Sequence, residues 1–79
     1  MGKLMNVGYG NVVNTDKIVA VLSPESAPIK RMIQKGKDSG NVIDATQGRK
    51  TKSVIVMDSD HIVLSALMPD TIATRYKEE

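Results

Sequence analysis

The stretch from residue 43 to residue 57 reads IDATQGRKTKSVIVM. Two runs rich in β-branched residues flank a polar segment that contains Gly48, a pattern typical of two strands joined by a turn. We therefore predict a β-hairpin over this stretch. Its tip carries Arg49, Lys50 and Lys52 with no acid between them. A charged loop is ordinarily only solvated, so the rest of the sequence has to decide whether this tip has a function.

Length and composition limit the kind of protein this can be. A chain of 79 residues makes one small domain, which buries only about 60% of the surface that its unfolded chain exposes. The sequence has no cysteine, so oligomerisation is the ordinary remaining way to supplement so small a core. No signal peptide is recognisable, and no apolar run approaches the roughly 20 residues that span a bilayer. We therefore predict a cytoplasmic protein with a single domain, residues 1–79, that associates with itself.

The charges are segregated along the chain, although the net charge is only +2. Residues 30–52 contain seven cations and two acids, a local balance of +5. Residues 53–79 contain two cations and five acids, a balance of −3. A folded chain can then present one positive surface while it remains nearly neutral, which is the electrostatic pattern of a polyanion-binding protein.

The apolar runs predict the strands of an α+β fold. Residues 3–7 and 17–22 are expected to be strands. Between them lie a turn or bulge at residues 8–11, an extended segment at residues 12–13 and a turn at residues 14–16. Three further strands, over residues 41–46, 52–57 and 61–67, are expected to form an antiparallel meander, with a tight turn at residues 58–60. The last two strands do not alternate apolar with polar residues, so both of their faces require burial. One helix can cover only one face, so the N-terminal strands or a neighbouring subunit must cover the other.

One amphipathic helix and one short C-terminal helix complete the predicted fold. Ser23 or Ser26 can cap the first helix, Pro28 lies in its first turn, and it is expected to run to about Lys37. Its apolar stripe consists of Ile29, Met32 and Ile33. Gly36 is expected to weaken its final turns, and residues 38–40 to end it. The second helix begins at residues 69–71 and frays over residues 77–79. Its inner edge is expected to contain Ile72 and Tyr76.

Catalytic chemistry has little support in the sequence. Asp44, Asp58 and His61 are the residues that could bind a metal ion or transfer protons. A lone histidine and two aspartates in a turn fit neither a zinc site nor a calcium loop. No nucleophile with a recognisable base and no phosphate-binding glycine loop is present. We therefore predict no enzyme activity, metal, cofactor or small-molecule substrate, and we keep a metal-dependent enzyme at these three residues as an alternative to test.

Binding of a polyanion is the predicted activity. Proteins that bind single-stranded nucleic acid stack bases on aromatic rings, and this chain has only Tyr9 and Tyr76. Duplex DNA requires only cations at its phosphates and guanidinium or amide groups at its base edges. The cationic tip and Gln47 can supply those groups, so the residues favour duplex DNA as the partner.

Four segments together form a specific family pattern. They read NVGYGNVV at residues 6–13, SPESAPIKRMI at 23–33, IDAT at 43–46 and MDSDHIVLSA at 57–66. The chain thereby strongly resembles the RemA family of bacterial extracellular-matrix regulators over nearly its whole length. The resemblance implies a DNA-binding transcriptional activator of biofilm-matrix genes. It also implies a LytTR-like, β-rich fold that assembles into a closed homo-oligomeric ring.

The resemblance also implies roles for individual residues. Lys17, which opens the predicted second strand, and the pair Arg49 and Lys50 match the DNA-binding residues of the family, with Lys52 beside them. Pro28 matches a functionally important proline, which we place at the helix entry and at a subunit contact. The family usually has an aromatic residue after Asp-Ala-Thr and carries arginines where this chain has Gln47, Lys50 and Lys52. Lysine cannot make the planar bidentate contact of arginine. The alternative is a ring-forming adaptor that binds RNA or an acidic protein.

Overall fold

The structure confirms the predicted α+β class. The computed structural model describes residues 3–78. Its elements are β1 (Leu4–Gly8), β2 (Asn11–Asn14), β3 (Ile18–Leu22), α1 (Ala27–Ser39), β4 (Val42–Asp44), β5 (Ser53–Met57), β6 (Ile62–Ser65) and α2 (Pro69–Glu78). Among these residues, neither helix is long and apolar enough to cross a membrane.

The central sheet corrects the predicted strand order. Its strands lie in the order β3-β5-β6-β4, and β4 pairs with β6 in parallel. Strands β5 and β6 are antiparallel neighbours joined by the predicted tight turn. The predicted hairpin over residues 43–57 and the fully antiparallel meander are therefore wrong. Residues 45–52 instead pass the end of β6 and join two strands that lie on either side of it.

Helix α1 covers one face of this sheet. The Ser26 hydroxyl caps it by accepting a hydrogen bond from the Ile29 amide at 3.4 Å, and Pro28 lies in its first turn as predicted. Gly40, with a φ of 75°, ends the helix in the left-handed conformation that glycine favours. The predicted apolar stripe packs on a cluster of buried sheet residues. That cluster consists of Val54, Ile62 and Leu64.

Gly36 has a packing role in this helix. A Cβ at this position would lie 2.9 Å from a methyl carbon of Val42 and 3.2 Å from Cδ1 of Ile62. The residue was expected only to weaken the last turns of the helix. Its missing side chain instead lets α1 lie close to β4 and β6.

The β1–β2 hairpin and α2 cover the opposite face. Val54 and Ile55 are adjacent in β5 and both fully buried, which confirms that both faces of this strand require burial. The N-terminal strands supply the second cover, so a neighbouring subunit is not needed for it. The core on this side contains Met5, Val7, Val13, Ala45, Ile55, Val63 and Ile72.

Helix α2 differs from its prediction at the inner edge. Ile72 is buried, but Tyr76 is 56% exposed. Arg75 takes the position toward the sheet, where its guanidinium donates a hydrogen bond to the Asn6 carbonyl of β1 at 3.1 Å. The helix continues to Glu78 rather than fraying after residue 76. Glu79 lies outside the described residues.

Candidate nucleic-acid interface

The basic segment, residues 46–52, begins with a tight turn at one end of the sheet. The Arg49 amide donates a hydrogen bond to the Thr46 carbonyl at 3.0 Å. Gln47 and Gly48, the two central residues, both have left-handed backbone with φ of 55° and 76°. Positive φ at both central positions is the geometry of a type I′ turn, and glycine suits it. Gly48 therefore has the turn role that the sequence predicted, although the turn does not close a hairpin.

Asp44 anchors the start of this turn. Its carboxylate accepts hydrogen bonds from the Thr46 hydroxyl at 2.6 Å and from the Thr46 amide at 2.9 Å. These two hydrogen bonds, with a smaller contribution from the positive charge of Lys37, hold the pKa of Asp44 below its usual value of 3.8. The carboxylate is thus engaged with the turn and not with the cations that follow it.

Two buried serines hold the other side of the basic segment. The Lys52 amide donates to the Ser65 carbonyl at 2.9 Å. The Ser65 hydroxyl donates to the Val7 carbonyl at 2.7 Å and accepts from the Leu67 amide at 3.1 Å. The Ser53 hydroxyl donates to the Leu67 carbonyl. Because both hydroxyls are fully buried, these bonds give the segment a rigid base that joins β1, β5 and β6.

The cations of the segment are exposed on this base. Within residues 3–78 the single ion pair joins Lys17 to Asp58, and it lies elsewhere. We call this end of the sheet the basic end, defined by Arg49, Lys50 and Lys52. The structure therefore brings these three predicted residues together on one surface.

Two residues to which the sequence gave no role in binding also lie at the basic end. The guanidinium carbon of Arg49 lies 5.8 Å from the centre of the Tyr9 ring, within the range of cation–π attraction. Arg75 brings a further cation to this end of β1, where it donates to the Asn6 carbonyl and to the Asn6 side-chain oxygen. The sequence does offer a signal for Tyr9, which is an aromatic residue between two glycines. No local pattern marks Arg75, because its partner is distant in sequence.

Lys17 lies at the opposite end of the sheet. It ends the short 3-10 turn that precedes β3, and the next residue, Ile18, lies opposite Met57. The length of β5, on the order of 13 Å for five residues, therefore separates Lys17 from the basic end. The structure does not bring Lys17 and Arg49 together within one chain.

The surroundings of Lys17 carry charges of both signs. Its ammonium lies 3.8 Å from the carboxylate of Asp58, and both side chains are more than half exposed. In the same turn the Ser59 hydroxyl lies 2.8 Å from Nδ1 of His61. We call this region the mixed end, defined by Lys17, Asp58, Asp60 and His61.

The residues considered for metal-dependent catalysis are not assembled into a site. Asp44 ends β4 opposite Leu64, whereas Asp58 and His61 flank the turn before the start of β6. In the described part of the chain, no group of three His, Cys, Asp or Glu side chains is placed to hold a metal ion.

An open apolar groove lies between β2 and β4. It has a volume of about 530 Å³, with Lys17 and His61 among its lining residues. Val12 is 51% exposed and Ile43 is 52% exposed. Ile43 lies opposite Val63 on the face that the β1–β2 hairpin packs against. The hairpin thus leaves the edge strand β4 partly uncovered.

Over nearly its full length the chain is similar to a family of regulatory proteins. The family model described as Extracellular matrix regulatory protein A-like matches residues 4–76. Extracellular matrix regulatory protein A of Bacillus subtilis (strain 168) is 57% identical over 79 residues, covering 98% of this chain and 89% of that protein. A relative from Lachnoclostridium phytofermentans, named provisionally as a regulatory protein, is 59% identical over 78 residues, covering 99% of this chain and 86% of that protein. These names describe regulators and not enzymes.

Proposed function

Because the chain belongs to the RemA-like family of extracellular matrix regulatory proteins, we propose that it is a transcriptional activator of extracellular-matrix genes that binds duplex DNA. The observation that carries this proposal is the basic end. Arg49 ends an ordered turn there, Lys50 and Lys52 follow it, and all three are exposed. Within residues 3–78 none of them forms an ion pair.

The rigid support of these cations favours binding to phosphates. A flexible lysine-rich loop loses conformational entropy when it binds, whereas the turn at Gln47 and Gly48 is already ordered. Each cation that meets a phosphate also releases condensed counterions from the duplex. The affinity is therefore expected to fall steeply as the salt concentration rises.

A homo-oligomer would make these contacts effective. Three cations on one small chain bind weakly, but subunits joined in a closed ring turn later contacts into intramolecular ones. The open apolar groove, with Val12 and Ile43 exposed in it, supports association between copies. Pro28 is exposed in the first turn of α1, consistent with the proposed subunit contact. In such a ring Lys17 is a second DNA contact, separate from the basic end.

Replacement of Arg49 tests the proposal. We expect Arg49→Ala to weaken binding to a multi-site duplex about ten-fold, since hydrogen bonds to charged groups are worth about 1.5–3 kcal/mol. Fluorescence anisotropy over a salt series measures both the affinity and the slope of log affinity against log salt, which should become less steep. Lys35→Ala is the matched control, because it removes one exposed cation of α1 from a groove lined also by Ile62, at the other end of β6 from Ser65.

Three results would contradict the proposal. One is a flat salt slope for the parent protein, and another is equal binding by the parent and Arg49→Ala. The third is a preference for RNA or an acidic polymer over duplex DNA in competition, which would favour the adaptor function instead. Light scattering on each variant shows whether the oligomer is intact, and a parent monomer at micromolar concentration would exclude the ring.

A further inference from the structure

We propose that Tyr9 is a positioning residue that holds the Arg49 guanidinium for contact with DNA. The proposal rests on the proposed DNA binding, and it assigns a role to a second segment of the chain. A planar guanidinium fits a pair of hydrogen-bond acceptors that lie in one plane. Two phosphate oxygens or the O6 and N7 atoms of guanine present such a pair.

The turn that carries Tyr9 has an unusual backbone that its neighbours hold in place. Tyr9 has a φ of 56°, a left-handed conformation that is rare for a bulky side chain, between Gly8 and Gly10 with φ of 113° and 79°. The Asn6 side chain accepts a hydrogen bond from the Gly8 amide at 2.7 Å, and the Asn11 side chain donates to the Gly8 carbonyl at 3.1 Å. A strained conformation persists only where surrounding structure enforces it, and these bonds hold Gly8, the residue that leads into Tyr9.

The same rigid base supports this turn and the basic segment. The Val7 carbonyl, just before the turn, accepts from the hydroxyl of Ser65, whose own carbonyl accepts from the Lys52 amide. Arg75 fixes Asn6 from the side of α2. The distance between Tyr9 and Arg49 is therefore determined by two segments that are both anchored to one residue of β6.

Contact with the Tyr9 ring leaves the N–H groups of the Arg49 guanidinium able to donate hydrogen bonds to DNA. One face of a planar guanidinium can lie against an aromatic ring while its N–H groups still donate in their own plane. Among residues 3–78 the Arg49 side chain has no ion-pair partner that would compete for those N–H groups. Tyr9 thus restricts the rotamers of Arg49 before DNA arrives, which reduces the entropy lost on binding.

A double-mutant cycle tests the positioning role. Tyr9→Leu should weaken duplex binding by roughly two- to five-fold, the range for an exposed cation–π contact, whereas Tyr9→Phe should bind like the parent because it keeps the ring. In an Arg49→Ala background, Tyr9→Leu should have no further effect. Tyr76→Leu is the matched control, since it removes the other tyrosine of the chain, which is also exposed.

Modified duplexes identify the acceptor. Replacement of guanine by 7-deazaguanine removes N7. If Arg49 contacts a base edge, the parent and Tyr9→Leu should then bind the modified duplex with equal affinity. If the parent still binds the modified duplex more tightly than Tyr9→Leu does, the acceptors are phosphate oxygens.

Two outcomes would overturn the positioning role while the parent still binds DNA. One is equal binding by Tyr9→Leu and the parent, and the other is an undiminished effect of Tyr9→Leu in the Arg49→Ala background. Failure of the parent itself to bind duplex DNA would instead overturn the proposed function. Thermal unfolding of each variant separates these results from loss of the fold.

Discussion

The two ends of strand β5 carry similar residues in different surroundings. At the basic end, the cations have no acid partner among residues 3–78, and buried serine hydroxyls hold the backbone beneath them. At the mixed end, Lys17 is paired with Asp58, and the serine of the turn is exposed. The two ends therefore differ in the support of their cations and in the acids beside them, as well as in the number of cations. Rigid support and the absence of competing acids are the features that led us to propose the basic end as the main DNA contact.

The largest expected difference between the ends is in their contribution to stability. Ser65→Ala should lower the free energy of unfolding by about 2 kcal/mol, because it leaves the Val7 carbonyl and the Leu67 amide without their partner in a buried site. Ser59→Ala at the mixed end should lower it by less than about 0.5 kcal/mol, since its side chain is exposed. Urea unfolding followed by circular dichroism measures both. Equal losses would show that the two ends are supported equally.

A smaller effect should appear when the mixed end is made to resemble the basic end. Asp58→Asn removes the acid partner of Lys17, and exposed ion pairs of this kind are worth about 0.2–1 kcal/mol. We therefore expect duplex binding two- to three-fold tighter, with a steeper salt slope, measured by anisotropy. The double variant Lys17→Ala/Asp58→Asn should lose this gain. If Asp58→Asn and the double variant bind duplex DNA equally, Lys17 does not contact DNA.

The smallest expected effect is a pH dependence confined to the basic end. Hydrogen bonds from Thr46 lower the pKa of Asp44 in the folded chain, so ionised Asp44 stabilises the fold. That contribution is fully present above the unfolded pKa, near pH 4, and is lost as the pH falls through the lower folded pKa. Its size should be under about 0.5 kcal/mol, because solvent screens this exposed carboxylate.

Urea midpoints between about pH 6 and about pH 2 measure this contribution. Asp44→Asn keeps an acceptor for Thr46 but cannot titrate, so it should lack this part of the pH dependence. Identical curves for Asp44→Asn and the parent would contradict the assignment.

Features set by neighbouring residues in the sequence could be predicted. The cap and end of α1, at Ser26 and Gly40, follow from the local preferences of serine and glycine. The turn at Gly48 is local for the same reason. The continuous apolar character of β5 and β6 correctly indicated burial on both faces.

Features that depend on distant pairing could not be predicted. An apolar run indicates that β4 is a strand, but it does not indicate that β6 lies between β4 and β5. The position of Lys17 at the far end of the sheet follows from the pairing of β3 with β5 and not from its neighbours in the sequence. The contact between Tyr9 and Arg49 joins residues that are 40 positions apart in the sequence, and the helical spacing of α2 could not choose between Arg75 and Tyr76. Local preference carries no information about such partners.

The parallel pairing of β4 with β6 has a consequence for the order of folding. During synthesis β4 and the basic segment leave the ribosome before β6, the strand to which β4 pairs. Strand β4 therefore cannot join the sheet until β6 has been made. Ser65, the residue that anchors the basic segment, is the last residue of β6. The surface proposed to bind DNA is thus completed late, and a nascent chain that ends before residue 65 lacks this anchor.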